Sequence, residues 1–146
     1  AYRPPAHWQR LQDIVNPLDI PIIANGEIWT PSDLFDCKEQ SGCNAFMLAR
    51  GALCRPDLAR AVHAHCNGDP IEPMTWPEVS QLLIDFFEAN GALYQRKYAI
   101  NPLKQWLVYL QHCYPQAAAL FAQVKRIRDP DDMRDALLGA TAAMAA

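Results

Sequence analysis

Two short polar sequences occur where the chain leaves an apolar run. Asn25-Gly26-Glu27 follows residues 19–24, and Arg50-Gly51 follows residues 45–49. An Asn-Gly pair lets the backbone turn sharply and expose its N–H groups. An arginine and a glycine ahead of a helix combine a guanidinium with backbone amides, which suits a phosphate. Each sequence alone is ambiguous, because Asn-Gly is a common turn and such an arginine often forms only a surface ion pair. Together they predict a phosphate-binding site.

A long stretch without carboxylates is the second chemical feature. Residues 91–128 contain six basic residues and no Asp or Glu, whereas residues 1–90 contain six basic and twelve acidic residues. Within a protein of formal charge −3, such a stretch creates a local positive field that attracts a polyanion. The alternative interpretation is a solvated helix face with scattered charges. The six basic residues are Arg96, Lys97, Lys104, Lys125, Arg126 and Arg128.

Three other candidate sites are weaker. A zinc site could draw on His63, His65, Cys66, His112 and Cys113. Residues two apart on a helix point in different directions, however, so we expect no metal there. The acids Asp131-Asp132 favour a helix start rather than a metal site. Several aromatic residues could stack on bases, but their helical spacing predicts that most are core: Trp76, Phe86, Phe87, Tyr94, Trp106 and Phe121.

The elements that position the first site alternate between helix and strand. The apolar spacing in residues 7–15 predicts an amphipathic helix. Residues 19–24 and 45–49 are almost wholly apolar, which predicts strands buried on both faces, as in a parallel sheet. Between them, Thr30-Pro31-Ser32-Asp33 predicts the start of a helix that ends near Ser41-Gly42. This order is a βαβ unit, and such units bind ligands at the carboxyl ends of their strands.

The second half of the chain has no strand pattern. A helix is predicted over residues 56–65, and a loop with two prolines follows at residues 66–74. Thr75-Trp76-Pro77-Glu78 has the spacing of a capping box, and its helix is expected to run through Ala89 and end at Asn90-Gly91. The remaining helices are predicted to start at Asn101-Pro102, Pro115 and Asp129, with fraying from Gly139 onward.

Two parallel strands cannot form a complete sheet, because both edges remain unpaired. Either the chain oligomerises, or the rest of the sheet lies outside it, and we prefer the second interpretation. The chain lacks an initiator Met, a secretory signal and any apolar run approaching ~18 residues, so we expect part of a longer protein without a membrane span. Five irregularly spaced cysteines predict reduced thiols and a cytoplasmic location.

These motifs resemble one known family. Residues 20–28 (IPIIANGEI) and 42–53 (GCNAFMLARGAL) are similar to the last two barrel strands of dihydrouridine synthases, and Trp76-Pro77-Glu78 and residues 103–110 (LKQWLVYL) continue the match. The resemblance covers essentially the whole chain and is strongest to the bacterial C-type subfamily, which modifies uridine 16 of tRNA. It implies an α/β part followed by an all-α part. Residues 1–66 would be the last βαβ part of a TIM barrel, and residues 67–146 a C-terminal helical bundle domain.

The resemblance also implies an activity. Members of the family use FMN, reduced by NADPH, to add hydrogen across the C5–C6 bond of a uridine in the tRNA D-loop. In this sequence the flavin contacts would be Asn25, Gly26 and Glu27, with phosphate contacts at Ala49 and Arg50. The tRNA contacts would be Tyr2, Lys104, Tyr109 and Lys125. The full-length protein is expected to be a monomer.

The sequence departs from the family pattern at three places. Ala49 stands where the family commonly has glycine, so its methyl group could crowd the phosphate. Pro102 stands where the subfamily tends to have arginine, which removes one RNA contact. None of the five cysteines lies in the Asn-x-Gly-Cys-Pro context of the catalytic cysteine, and Cys43 is predicted to be core. We therefore assign no catalytic residue to this chain and expect it to be inactive by itself.

Two alternatives remain open. The chain could be a stand-alone helical RNA-binding module without catalytic activity. It could also belong to another phosphate-binding barrel, such as a different flavin oxidoreductase. Residues 91–128 count against the second alternative, because an enzyme acting on a small metabolite has no need of an acid-free basic surface.

Overall fold

A computed structural model describes residues 4–142, without the side chains of Arg96, Thr141 and Ala142. The chain divides into two compact units, one up to Pro73 and one from Met74 onward. The first unit contains a small parallel sheet with helices, and the described part of the second is helical.

The first unit begins with a 3₁₀ helix, Trp8–Leu11, which continues as helix α1, Gln12–Val15. Strand β1 (Ile23–Asn25) and strand β2 (Ala45–Met47) pair in parallel, with Ile23 opposite Ala45 and Asn25 opposite Met47. Helix α2, Pro31–Ser41, connects them. The predicted strand–helix–strand order is therefore confirmed. Helices α3 (Arg50–Cys54) and α4 (Leu58–Asn67) follow β2.

Local signals determine the limits of α2. The N–H of Asp33 donates to Thr30 Oγ1 at 3.2 Å, and Asp33 Oδ2 accepts from the N–H of Thr30 at 2.8 Å. Pro31 occupies the first turn, where no intrahelical N–H bond is needed. At the other end, Gly42 has a left-handed φ of 71°, which glycine adopts without a steric cost. The prediction of this helix from sequence is confirmed at both ends.

The prediction that both strands are buried on two faces is wrong. Ala24 in β1 is buried against Leu34 and Cys37 of α2, but Ile23 is 59% exposed and Met47 is 53% exposed. Each strand has only three residues, fewer than the apolar runs suggested. In the described unit the sheet consists of two strands, so no further strand covers these side chains.

The described part of the second unit contains four α-helices packed around one apolar core. They are α5 (Trp76–Leu93), α6 (Ile100–Leu110), α7 (Pro115–Val124) and α8 (Pro130–Ala142), with a short 3₁₀ helix at Arg96–Tyr98. Every helix contributes fully buried side chains to the core, among them Val79, Leu83, Phe87, Leu103, Leu107, Leu110, Val124 and Met133. This packing, rather than helix propensity alone, stabilises the helices.

Three boundaries in this unit differ from those predicted. Helix α5 continues through Asn90-Gly91 to Leu93, because Asn90 Nδ2 donates to the carbonyl oxygen of Phe86 at 2.7 Å instead of ending the helix. Helix α6 begins at Ile100, so Pro102 lies inside its first turn, where proline is tolerated. Helix α8 extends beyond Gly139 to Ala142.

Cys37, Cys43 and Cys54 are buried, whereas Cys66 and Cys113 are exposed. Burial raises the pKa of the Cys37 thiol, which disfavours the reactive thiolate. The prediction that Cys43 is a core residue is confirmed. Within residues 4–142, none of the helices is long and apolar enough to cross a membrane.

Candidate functional site

The two polar sequences that follow the strands come together in the first unit. Asn25, Gly26 and Glu27 line one small pocket with Ala49 and Arg50. They converge because β1 and β2 are parallel and in register, so both carboxyl ends lie at the same edge. Ile28, Trp29, Leu48 and Gly51 complete the lining. We call this pocket the strand-end site.

Three side chains of the strand-end site interact directly. Arg50 Nη2 donates to Glu27 Oε1 at 3.0 Å, and Trp29 Nε1 donates to Glu27 Oε2 at 3.2 Å. The Arg50 guanidinium also lies 5.3 Å from the centroid of the Trp29 ring, within the range of a cation–π interaction. Glu27 thus binds the guanidinium through one carboxylate oxygen and the indole through the other. No motif or residue spacing indicated that Trp29 belongs to the site.

The backbone of this site is unusual at both strand ends. Glu27 has φ 55° and Ala49 has φ 44° with ψ −118°, regions that residues with a Cβ rarely adopt. Trp8 Nε1 donates to the carbonyl oxygen of Gly26 at 2.9 Å, which fixes the turn after β1. At Gly51 an added Cβ would lie 2.1 Å from the carbonyl oxygen of Ile28. The two strand ends therefore touch through a position that only glycine can occupy.

The donor set of the strand-end site fits a phosphate group, as FMN would require. A guanidinium has five N–H donors in a planar fork, so it can bridge a carboxylate and a phosphate at once. Arg50 is half exposed, with 49% of its side-chain surface accessible, so an anion can reach it. The Ala49 methyl group is the one feature that departs from an open, glycine-lined turn.

In the second unit, the basic residues gather around one open cleft. Its charged lining consists of Lys97, Lys104, Lys125, Arg126 and Arg128, and its other lining residues are Ile100, Asn101 and Ile127. No carboxylate lines this basic cleft. Among the described residues none of the five cations forms an ion pair. Within the described residues no carboxylate neutralises these cations, and this arrangement attracts a polyanion.

Lys104 differs from the other four cations. Its Nζ donates to the carbonyl oxygen of Lys125 at 3.1 Å and to that of Ile127 at 2.6 Å. It is partly buried on α6, whereas Lys97, Lys125, Arg126 and Arg128 are exposed. Lys104 therefore links α6 to the carboxyl end of α7.

Of the predicted tRNA contacts, the basic cleft brings together Lys104 and Lys125 but not Tyr109. Tyr109 is partly buried on α6 and does not line the cleft. Tyr2 lies outside the described residues. Pro102, where the subfamily tends to have arginine, is partly buried in the first turn of α6.

The remaining candidates have other surroundings. Trp76 and Phe87 are buried, and Phe86, Trp106 and Phe121 pack against the same core, as predicted. Tyr94 is the exception among the six, because it follows α5 rather than lying inside it and is 65% exposed. The His65 ring packs 4.7 Å from that of Phe35. In the part of the chain that the structure describes, no three His, Cys, Asp or Glu residues are grouped to hold a metal ion.

Known proteins are similar to this chain along nearly its whole length. The chain is 43% identical over 129 residues to a tRNA-dihydrouridine(16) synthase of Aquipseudomonas alcaligenes, covering 88% of this chain and 41% of the relative. Identity to the tRNA-dihydrouridine(16) synthase of Pseudomonas putida is 42% over 132 residues (88% and 40%). For that of Neisseria meningitidis serogroup A it is 40% over 140 residues (92% and 40%). The chain thus spans about two fifths of the length of these relatives. The family model described as "Dihydrouridine synthase (Dus)" matches residues 1–145, so the chain belongs to the dihydrouridine synthase family.

Proposed function

We propose that this chain is part of an enzyme that reduces uridine to 5,6-dihydrouridine in tRNA, at position 16. The observation that carries the proposal is the similarity over most of the chain to relatives named tRNA-dihydrouridine(16) synthase. A phosphate-compatible pocket in one unit and a basic cleft in the other support it, since such an enzyme must hold both a nucleotide cofactor and an RNA.

In this proposal the strand-end site holds the phosphate end of FMN. Arg50 would bind the phosphate, Glu27 would orient the guanidinium, and Asn25 and Gly26 would contact the flavin along the first strand end. Bound FMN, reduced by NADPH, supplies the hydride for the C5–C6 bond. Trp29 would shield one side of the ion pair from water, which strengthens its electrostatic interactions. The proton donor lies outside this chain, because no cysteine here has the required context.

The proposed architecture follows from the same assignment. Strands β1 and β2 would be the last two strands of a TIM barrel, and the exposed side chains of Ile23 and Met47 would be covered by the rest of it. The helices of the second unit would form the tRNA-binding domain, with Lys104, Tyr109 and Lys125 as the residues that the family resemblance selects. The full-length protein would act as a cytoplasmic monomer.

A second candidate function is a stand-alone RNA-binding module. The observation in its favour is that the entire lining of the basic cleft belongs to the unit from Met74 onward. Such a module would bind tRNA but would neither retain FMN nor reduce uridine.

One assay separates the two candidates. Incubation of the full-length protein with FMN, NADPH and unmodified tRNA is expected to produce dihydrouridine, which is measured by mass spectrometry of nucleosides. The chain of residues 1–146 alone is expected to produce none, because it lacks the proton donor. Tight tRNA binding without any turnover by the full-length protein would favour the stand-alone module.

The phosphate assignment is tested by Arg50→Ala in the full-length protein. Loss of one charge-assisted contact is expected to weaken FMN binding by about 1.5–3 kcal/mol. Arg60→Ala is the control, because Arg60 is an exposed arginine in the same unit that does not line the strand-end site. FMN retention is measured by absorbance after gel filtration. Equal retention by Arg50→Ala and the wild type would mean that Arg50 does not bind the phosphate.

A further inference from the structure

We propose that Lys104 is a positioning residue rather than a phosphate ligand, and that the phosphates of the RNA bind to Arg126 and Arg128 on the segment that Lys104 holds. The proposal rests on the proposed function, since it takes tRNA as the occupant of the basic cleft.

The carboxyl end of α7 is a poor neighbour for a phosphate. The last carbonyl groups of a helix have no intrahelical partners and carry a partial negative charge. The helix ends at Val124, and the chain then runs directly into Lys125, Arg126 and Arg128. Exposed carbonyl oxygens at this point would oppose the attraction of an anion by the three side chains.

Lys104 neutralises this end of the helix. Its ammonium donates to the carbonyl oxygens of Lys125 and Ile127, the residues on either side of Arg126. Two of its three N–H donors are thereby directed at the protein. Its position on α6 is fixed by its neighbours Leu103 and Leu107, both fully buried. The Lys104 ammonium therefore interacts with the backbone, and its hydrogen bonds hold the segment from Lys125 to Arg128 in place.

The exposed cations carry the outward charge of the cleft. Lys125, Arg126 and Arg128 occupy three of four consecutive positions, and Lys97 lines the same cleft with its ammonium 4.9 Å from the Tyr98 ring centroid. The nearest acid in sequence, Asp129, has a carboxylate that accepts from the N–H groups of Asp131 and Asp132 at 2.8 and 3.2 Å. It therefore caps α8 and forms no ion pair with Arg126 or Arg128 among the described contacts.

Several separate cations around an open, acid-free cleft suit an extended anion more than a small one. A nucleic-acid backbone presents successive phosphates that different side chains can bind. Arginine is well suited to this role, because its fork of donors matches the oxygens of a phosphate.

The test is a double-mutant cycle with the full-length protein and unmodified tRNA, measured over a series of salt concentrations. Log affinity falls as log salt rises, so its slope is negative. The combined variant Arg126→Gln/Arg128→Gln is expected to make this slope less steep by about 1.4 to 1.8, the value for two phosphate contacts. Lys104→Gln is expected to weaken binding about tenfold in the wild-type background. In the Arg126→Gln/Arg128→Gln background it should have almost no further effect, since it acts through those residues.

Three outcomes would overturn the proposal. An equal loss from Lys104→Gln in both backgrounds, with its own slope change of about 0.7 to 0.9, would show that Lys104 contacts a phosphate itself. An unchanged slope in the Arg126→Gln/Arg128→Gln variant would show that the two arginines do not bind phosphates. Because both arginines are exposed, this variant is expected to fold normally, and the result does not depend on how Lys104→Gln folds. If dihydrouridine forms normally while either result is obtained, the proposed function stands and only this inference fails. A wild type that neither binds nor modifies tRNA would overturn both.

Discussion

Ala49 has a backbone conformation that favours glycine. Its φ of 44° and ψ of −118° bring the Cβ close to the backbone, a strain that costs on the order of 1–3 kcal/mol. We therefore expect Ala49→Gly to raise the free energy of unfolding by about 1 kcal/mol, since relief of strain exceeds the added freedom of the unfolded chain. Ala52→Gly, in the neighbouring helix α3, is the control and should lower it by about 0.5–1 kcal/mol. Denaturant unfolding measures the free energy of unfolding of both variants. A lower value for Ala49→Gly as well as for Ala52→Gly would show that Ala49 is not strained.

Gly51 is required for a different reason, namely space. An added Cβ would lie 2.1 Å from the Ile28 carbonyl oxygen and 3.0 Å from Leu58 Cδ2. Gly51→Ala must push the strand ends apart, so we expect a loss of about 3 kcal/mol in the free energy of unfolding. Gly139→Ala is the matched control, because Gly139 lies in α8 and an added Cβ there would meet no atom within 4 Å. That variant should gain about 0.5–1 kcal/mol. If both variants are equally stable, the close approach at Gly51 does not exist.

Local side chains cap the starts of α2, α5 and α8, and α8 gives the simplest test. Asp129 Oδ1 accepts from the N–H groups of Asp131 and Asp132. Asp129→Ala is expected to lower the free energy of unfolding by about 1 kcal/mol, whereas Asp129→Asn should lose little, because asparagine caps nearly as well. Asp135→Ala removes an exposed acid inside the same helix and serves as the control. A larger loss at Asp135 than at Asp129 in thermal or denaturant unfolding would rule out the cap.

The helix boundaries that local side chains set could be predicted from the sequence, and those that packing sets could not. Thr30 and Asp129 act within three residues of their own position, so their effect is visible in the sequence. The end of α5 depends on more distant features: Phe87 is buried in the core, and Asn90 bonds back to Phe86, so the helix passes through Asn90-Gly91. Packing overrides the local stop signal there.

The strand-end site could be predicted in outline and not in detail. Its position followed from two polar sequences at the ends of adjacent parallel strands, which the register of β1 and β2 confirms. The contact of Trp29 with Glu27 depends on a local left-handed turn, and that of Lys104 with Lys125 and Ile127 spans 21 and 23 residues. Neither contact follows from residue spacing, because each depends on how the backbone is folded.

At the scale of the whole molecule, the two units differ in the ligands that they suit. The unit up to Pro73 contains the strand-end site, in which Arg50 pairs with Glu27. The unit from Met74 contains the basic cleft, with five cations and no carboxylate in its lining. This difference explains why charge is distributed so unevenly along a chain of formal charge −3. The same difference supports the proposal that one unit binds a cofactor phosphate and the other binds an RNA backbone.

The proposed function predicts that the protein containing this chain makes dihydrouridine in tRNA. The most direct measurement compares tRNA from cells with and without the intact gene and maps dihydrouridine by position. We expect dihydrouridine at position 16 to disappear with the gene and to return when the full-length protein is supplied, but not when residues 1–146 are supplied alone. Loss at a different position would contradict the assignment to uridine 16. An unchanged dihydrouridine map in cells that lack the full-length protein would contradict the proposed function.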